Sequence, residues 1–381
     1  MLNRKTYLAA SVAIGSLLLS ACGSSDDAPA GAKKVSFKLT DAGCDPAQVE
    51  VPAGPLTFDI VNDGAAGVTE LEILDGDTIL GERENLSDGL SGSFTLTLDP
   101  GTYTLYCPGG DNGALGSTIP SGAERGTLTV TGQANAEQSG EAQAAVAAYR
   151  RYIEQQTALL VSETAPFVNA LQSGNVAESK ELYPAARLPY ERVEPVAESF
   201  GGLDPKIDAR AGDVPAAKWT GFHPIEKALW IDDSAEGLDP LAAKLLADVK
   251  LLQRKVKTIK LEPAQIANGA NELLTEVSSS KITGEEERYS HTDLWDFQAN
   301  VEGSKTAFDA VKPILEQHDP KLASEIQQRF ADVEEALAPY KQGDGYVLYG
   351  DLTEPDKRKL AQSIDALAEP LSQVAAIVAR Q

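Results

Sequence analysis

The chain runs to 381 residues and carries 57 Asp and Glu against 33 Lys and Arg, a net charge of −24. So acidic a protein repels nucleic-acid phosphates and anionic headgroups and attracts cations, which excludes a nucleic-acid binder that works by neutralising phosphates. The length is too great for one ordinary core, so two or more domains are expected. Chemistry that needs imidazole or sulfur has only three histidines, three cysteines and one methionine to draw on.

The N-terminus pairs Arg4 and Lys5 with an apolar run from Tyr7 to Leu19, too short for an ordinary membrane span. That is the pattern of an export signal, to be left out of fold reasoning. The run ends in Leu-Ser-Ala-Cys, which resembles a bacterial lipobox. The resemblance implies cleavage after residue 21 and acylation of Cys22. Residues 22–32, small and polar, then form a flexible tether. Losing Arg4 and Lys5 takes the net charge to −26. The mature chain is expected outside the cytoplasm, held to a bacterial membrane by lipid and facing periplasm or cell exterior, with no second apolar run long enough to span.

Residues 33–132 alternate apolar and polar residues in short runs ("VSFKLT", "LTFDIV", "GSFTLTL", "GTLTVT") between Gly, Asp, Asn and Pro turns. This spacing predicts an antiparallel β-sandwich or barrel. A polar linker covers 133–140. From 141 to 381 the apolar residues recur at three and four, as in "LAAKLLADVKLLQRKVKTIK". Pro and Gly near 184, 195, 201, 215, 237, 263, 284, 320, 339 and 370 are taken as segment breaks, which predicts a bundle of seven or more helices.

Within that bundle the stretch "TGFHPIEKALW" (220–230) sets His223 three residues before Glu226. Pro224 suits the first turn of a helix, so the imidazole and the carboxylate share a face. A half-buried histidine beside a helix-start acid explains the spacing as well as a metal site does. The spacing alone leaves both open.

In the first domain, "CDPAQVEVPAGPLTFDIVN" and "PGTYTLYC" resemble strands of the cupredoxins. The resemblance implies a cupredoxin-like sandwich. A blue-copper centre needs two imidazoles and a thiolate, yet no histidine lies between residues 22 and 222. Cys44, Cys107, Glu70 and Glu72 remain. They form either a disulfide, the usual fate of two cysteines in an oxidising compartment, or a thiolate–carboxylate site for copper or iron.

In the second domain, "LYPAARLPYERVEPVAESFGGLDPKIDAR", "TGFHPIEKALW" and "EERYSHTDLWDFQANVEGSKTAFDAVKPIL" resemble the imelysin-like domain of EfeO-type iron-uptake proteins. The order of signal, cupredoxin-like domain and helical domain agrees. The resemblance implies an iron-binding component (Fe2+ or Fe3+) that works with a membrane permease and a haem peroxidase, with His223 and Glu226 as metal ligands. Pro224 departs from the basic residue frequent in the family, and the lipid anchor departs from relatives free in the periplasm. One His and one Glu cannot complete a shell, so carboxylates from other helices are expected. Asp293 and Asp296 are the first candidates, Glu194 and Glu198 the second. Arg187 is expected to balance a carboxylate cluster or bind an anionic ligand, His291 to cap a helix or stand behind the ligands, and His318 to sit at a helix C-terminus. Two rival functions are a metal-dependent peptidase and a surface binding or adhesion lipoprotein. The chain lacks the paired histidines and intervening Glu of a zincin, which argues against the first.

Overall fold

The computed structural model describes residues 32–108, 125–135 and 137–380. The export signal, Cys22 and most of the tether lie outside them.

The first domain is a two-sheet sandwich. One sheet orders β2-β1-β4-β7 and the other β3-β9-β8-β5-β6. The strands are β1 (Lys33–Thr40), β2 (Gly43–Asp45), β3 (Gln48–Pro52), β4 (Gly54–Asn62), β5 (Leu71–Asp75), β6 (Thr78–Arg83), β7 (Ser91–Leu98), β8 (Gly101–Tyr106) and β9 (Arg125–Thr131). Alternation works as expected: Val35, Phe37 and Leu39 of β1 and Leu56, Phe58 and Ile60 of β4 point inward. Phe58 stacks between Phe37 and Phe94, with ring centroids 6.2 and 5.0 Å apart. Truncating so buried a ring costs about 3–5 kcal/mol.

The sandwich is not purely antiparallel. β1 runs parallel to β4, and β3 parallel to β9. The chain leaves the first sheet after β2, lays β3 on the second, and returns as β4 alongside β1. β2 and β6 lie outside the alternating runs. β6 is half-buried throughout because it faces the second domain, which erases the in–out contrast.

The second domain holds α1 (Gly140–Gln172), α2 (Val176–Glu191), α3 (Asp204–Ile207), α4 (Phe222–Ile231), α5 (Asp239–Lys255), α6 (Pro263–Ser279), α7 (Asp293–His318), α8 (Pro320–Leu337), α9 (Glu354–Leu371) and α10 (Val374–Val378). One apolar core runs through it. A two-residue hairpin, Lys341–Gln342 with Gly345–Tyr346, interrupts the helices. Two of the expected breaks are not breaks. Pro184 lies inside α2 and Pro370 inside α9. In α2 the face carrying Tyr183, Arg187 and Tyr190 is fully buried, and that packing overrides the local cost of proline.

The domains dock through β6 and β7 against α6 and the C-terminus. Arg83 makes a two-pronged contact with Glu272, its Nη1 lying 2.9 and 3.1 Å from the two oxygens. Asn268 donates to the Thr95 carbonyl at 2.8 Å, and the Thr97 hydroxyl to the Ala379 carbonyl at 2.8 Å. Among the described residues no helix is long and apolar enough to cross a membrane.

Candidate metal centre

α4 starts at Phe222, which puts His223 second and Pro224 third in the first turn, where a missing N–H is no loss. Gly221 has φ +95°, and a Cβ there would collide with the Ile207 carbonyl. Only glycine allows that approach, which seats the start of α4 against the end of α3. His223 thereby meets Asp208, the residue that closes α3.

The imidazole is 2% exposed and bridges two sets of carboxylates. Nδ1 lies 3.3 Å from Glu226 Oε2, one turn along α4. Nε2 lies 3.4 Å from Asp208 Oδ1 and 3.6 Å from Glu286 Oε1, yet has no hydrogen-bond partner of good geometry. Two groups of donor atoms therefore share His223. Asp208 and Glu286 converge on one side, Glu226 and Glu287 on the other, and each group lies within 4.8 Å. With Nδ1–H given to Glu226, Nε2 is presented to Asp208 and Glu286, the arrangement by which a carboxylate orients a ligating histidine. A nitrogen with two or three carboxylate oxygens suits iron and other divalent metals.

Glu286 and Glu287 come from the turn at 286–290, between α6 and α7. Glu226 Oε1 fastens that turn to α4, accepting from the N–H groups of Tyr289 at 2.8 Å and Ser290 at 2.7 Å. Arg187, fully buried on α2, sits behind the carboxylates. It pairs with Asp208 and Glu191, with Glu286 at 3.1 Å and with Glu287 at 2.6 Å. Its Cζ lies 5.5 Å from the Phe222 ring, whose other neighbours are Phe167 and Tyr183. Aromatic rings thus pack against the guanidinium, and burial strengthens each charge interaction.

Protonation follows from this packing. Burial and the Arg187 guanidinium push the His223 pKa down, but the facing carboxylates of Asp208, Glu226 and Glu286 outweigh them and hold it well above the usual histidine range. Burial pushes Glu226 up, and its bonds to His223 and to the two backbone N–H groups bring it below the ordinary value. Burial also opposes ionisation of Asp208 and Glu286; Arg187 for the first and Lys281 for the second overcome it and lower both. Glu287 goes the other way: burial and the facing Glu226 raise it well above the ordinary value despite Arg187. A cation entering there competes with the proton that these carboxylates favour on His223.

The expected residues are distributed differently from expectation. His223 and Glu226 converge as their spacing implied, and Arg187 faces the carboxylates. The carboxylates that join them are Asp208, Glu286 and Glu287, not Asp293, Asp296, Glu194 or Glu198. Asp293 is buried and accepts from the Glu287 N–H at 3.1 Å, so it braces the turn. Asp296 lies behind Arg187, 3.5 Å from Nε. Glu194 is bound by Lys281 at 2.6 Å and by Asn300 at 2.6 Å. Glu198 faces the space between the domains. The His291 side chain is exposed. Its backbone has φ +61° and links Glu287 to Tyr349, a support to the turn made without the imidazole. His318 ends α7. The three carboxylates lay within the family-like stretches: Asp208 in "DPKIDAR", and Glu286 with Glu287 opening "EERYSH". They belong to a helix end and a turn, so no helical spacing singles them out.

Cys44 and Cys107 form a disulfide, with Cα atoms 5.6 Å apart. With both sulfurs in that bond, neither is a thiolate for copper. Glu70 and Glu72 line the cavity between the domains.

The Imelysin family model matches residues 145–374, and a cupredoxin-like domain model matches residues 11–119. The iron uptake system component EfeO of Escherichia coli K12 is 39% identical over 355 residues, covering 91% of each chain. EfeO of Shigella flexneri and of Shigella sonnei match at the same identity and coverage. The chain belongs to the EfeO-type imelysin family. The buried His223 cluster, the Gly221 contact that builds it and the turn that completes it all lie within the matched helical span.

Proposed function

We propose that this protein is the extracytoplasmic iron-binding component of a ferrous-iron uptake system. It captures iron at His223 and Glu226 with the carboxylates that converge there, and passes the metal to a membrane permease working alongside a haem peroxidase. The observation that carries this reading is a buried histidine nitrogen without a hydrogen-bond partner, facing carboxylates from separate chain segments. Its relatives are iron uptake system components, which makes iron the cargo to test first. The donor set binds rather than turns over a substrate: each carboxylate is engaged by His223, Arg187 or backbone N–H groups. The export signal and Cys22 would place the protein at a membrane surface. Cys22→Ser is expected to release it or to leave its precursor uncleaved, read by fractionation.

The test is anaerobic Fe(II) titration of the parent, His223→Ala and Glu226→Ala, each checked for fold by circular dichroism. Loss of the histidine is expected to weaken binding by about 100-fold or more, since even groups behind a ligand are worth ~10–100-fold. Unchanged affinity in both variants overturns the reading.

A further inference from the structure

Glu286 gives its two oxygens to different neighbours. Oε1 faces His223 Nε2 at 3.6 Å and accepts from Arg187 Nη2 at 3.1 Å. Oε2 accepts from Arg210 Nη1 at 3.2 Å, and the Lys281 ammonium lies 3.7 Å from the same oxygen. A carboxylate oxygen has two lone-pair positions. Two bases face Oε2, whereas Oε1 has one base beside it and the imidazole.

Both bases on Oε2 are themselves held from behind. Arg210 closely follows α3, and its backbone N–H donates to Asp213 Oδ2 at 2.7 Å, closing a tight turn. Trp219 Nε1 donates to the neighbouring Ala209 carbonyl at 2.7 Å. The same Arg210 Nη1 lies 3.5 Å from Glu276 of α6 and 3.7 Å from Glu285. Lys281 opens the 3-10 turn Lys281–Thr283 and is buried, which a lysine tolerates only when paired. Its Nζ lies 2.6 Å from Glu194 Oε1 and 3.4 Å from Glu191 Oε2.

We propose that Arg210 and Lys281 are positioning residues that make Glu286 a one-oxygen ligand, and that this sets the metal preference of the site. The proposal rests on His223 as the primary site. With Oε2 held on the bases, Glu286 offers a cation Oε1 alone. Calcium gathers about 6–8 oxygens and accepts both from one carboxylate. Iron is served by mixed donors that include imidazole. A Glu286 free to turn would supply its second oxygen and shift the balance toward calcium.

Arg210 is the base to vary, because its side chain is a quarter exposed whereas Lys281 is buried. Fe(II), titrated anaerobically, and Ca(II) are the probes, applied to the full chain of the parent, Arg210→Met and Arg210→Lys. Removing one positive charge favours both divalent cations alike, so the ratio of their affinities cancels charge and reads orientation. In Arg210→Met the preference for Fe(II) over Ca(II) is expected to fall about tenfold or more, as for other groups that orient a metal ligand. Arg210→Lys, which keeps a charged donor, should recover part of it. A parental ratio in Arg210→Met overturns the proposal, as does a loss that Arg210→Lys leaves undiminished. Should Arg210→Met not fold, a crystal structure of the Fe(II)-loaded parent decides. Glu286 Oε1 on the metal with Oε2 on Arg210 is expected, and both oxygens on the metal overturns the proposal. His223→Ala with parental Fe(II) affinity sinks the primary site instead, whatever the ratio, so the two failures are distinguishable.

Discussion

The two domains treat their polar groups in opposite ways. The sandwich resembles a metal-binding fold, yet its interior is apolar and its paired cysteines are joined to each other. The bundle gathers an imidazole, a guanidinium and four carboxylates beside an aromatic cluster, each with a side chain under a tenth exposed. Buried charge without exact compensation is costly, and proteins keep it where a ligand completes it. Resemblance to a cupredoxin therefore indicates a sandwich. The unpartnered buried imidazole nitrogen lies in the helical domain.

The largest effect that would break this contrast is loss of the central base. Arg187→Met leaves Asp208, Glu191, Glu286 and Glu287 facing one another without it. Metal-free stability is expected to fall by about 3–5 kcal/mol, as when one member of a buried ion pair is removed. Chemical denaturation reads this, and added Fe(II) should recover part of the loss by mass action. A variant as stable as the parent would mean that the cluster is not held by Arg187.

Removing the disulfide tests the other half. Cys44→Ser with Cys107→Ser is expected to cost about 2–5 kcal/mol of β-domain stability, leaving affinity at His223 unchanged. A matching loss of iron at the primary site would show that the two domains' chemistry is coupled.

A pH series sharpens the contrast further. His223 has a folded pKa raised above its unfolded value of about 6.5, so its contribution to metal-free stability is fully present below that value. It is lost as pH rises through the raised folded value. Glu226, Asp208 and Glu286 are lowered, so their contribution is present above the ordinary carboxylate range and lost as pH falls through their folded values. Iron competes with the His223 proton, so affinity should climb as pH rises, and keep climbing above the ordinary histidine range. A plateau reached by about pH 6.5 would show that His223 is neutral in the metal-free protein.

The smallest expected effect is at the third histidine. His318→Ala at the end of α7 should change stability by under about 1 kcal/mol and leave iron affinity where it was, by denaturation and titration respectively. A large loss of iron would move the site away from His223.

Much of this organisation is written locally in the chain. Period-two runs such as "LTFDIV" gave their strands, and period-three-and-four runs such as "LAAKLLADVK" gave their helices, because burying one face imposes that spacing. The His223–Glu226 pair was legible for the same reason: residues three apart on a helix meet whatever else the fold does. β6 was not legible, because a strand facing another domain shows no in–out alternation. Pro184 misled, because its cost is local while the packing around Tyr183 and Arg187 that overrides it is not.

What tertiary structure alone decided is which carboxylates meet the histidine. Asp208, Glu286 and Glu287 sit at a helix end and in a turn, positions that no periodicity marks. They reach His223 only because Gly221 lets α4 abut α3 and because Glu226 pulls the 286–290 turn onto α4. Asp293 and Asp296, which sequence spacing favoured, are on α7 but bind the turn's backbone and stand behind Arg187. Sequence spacing fixes neighbours within an element. Convergence of separate elements depends on backbone approach and on burial, and these exist only once the chain has packed.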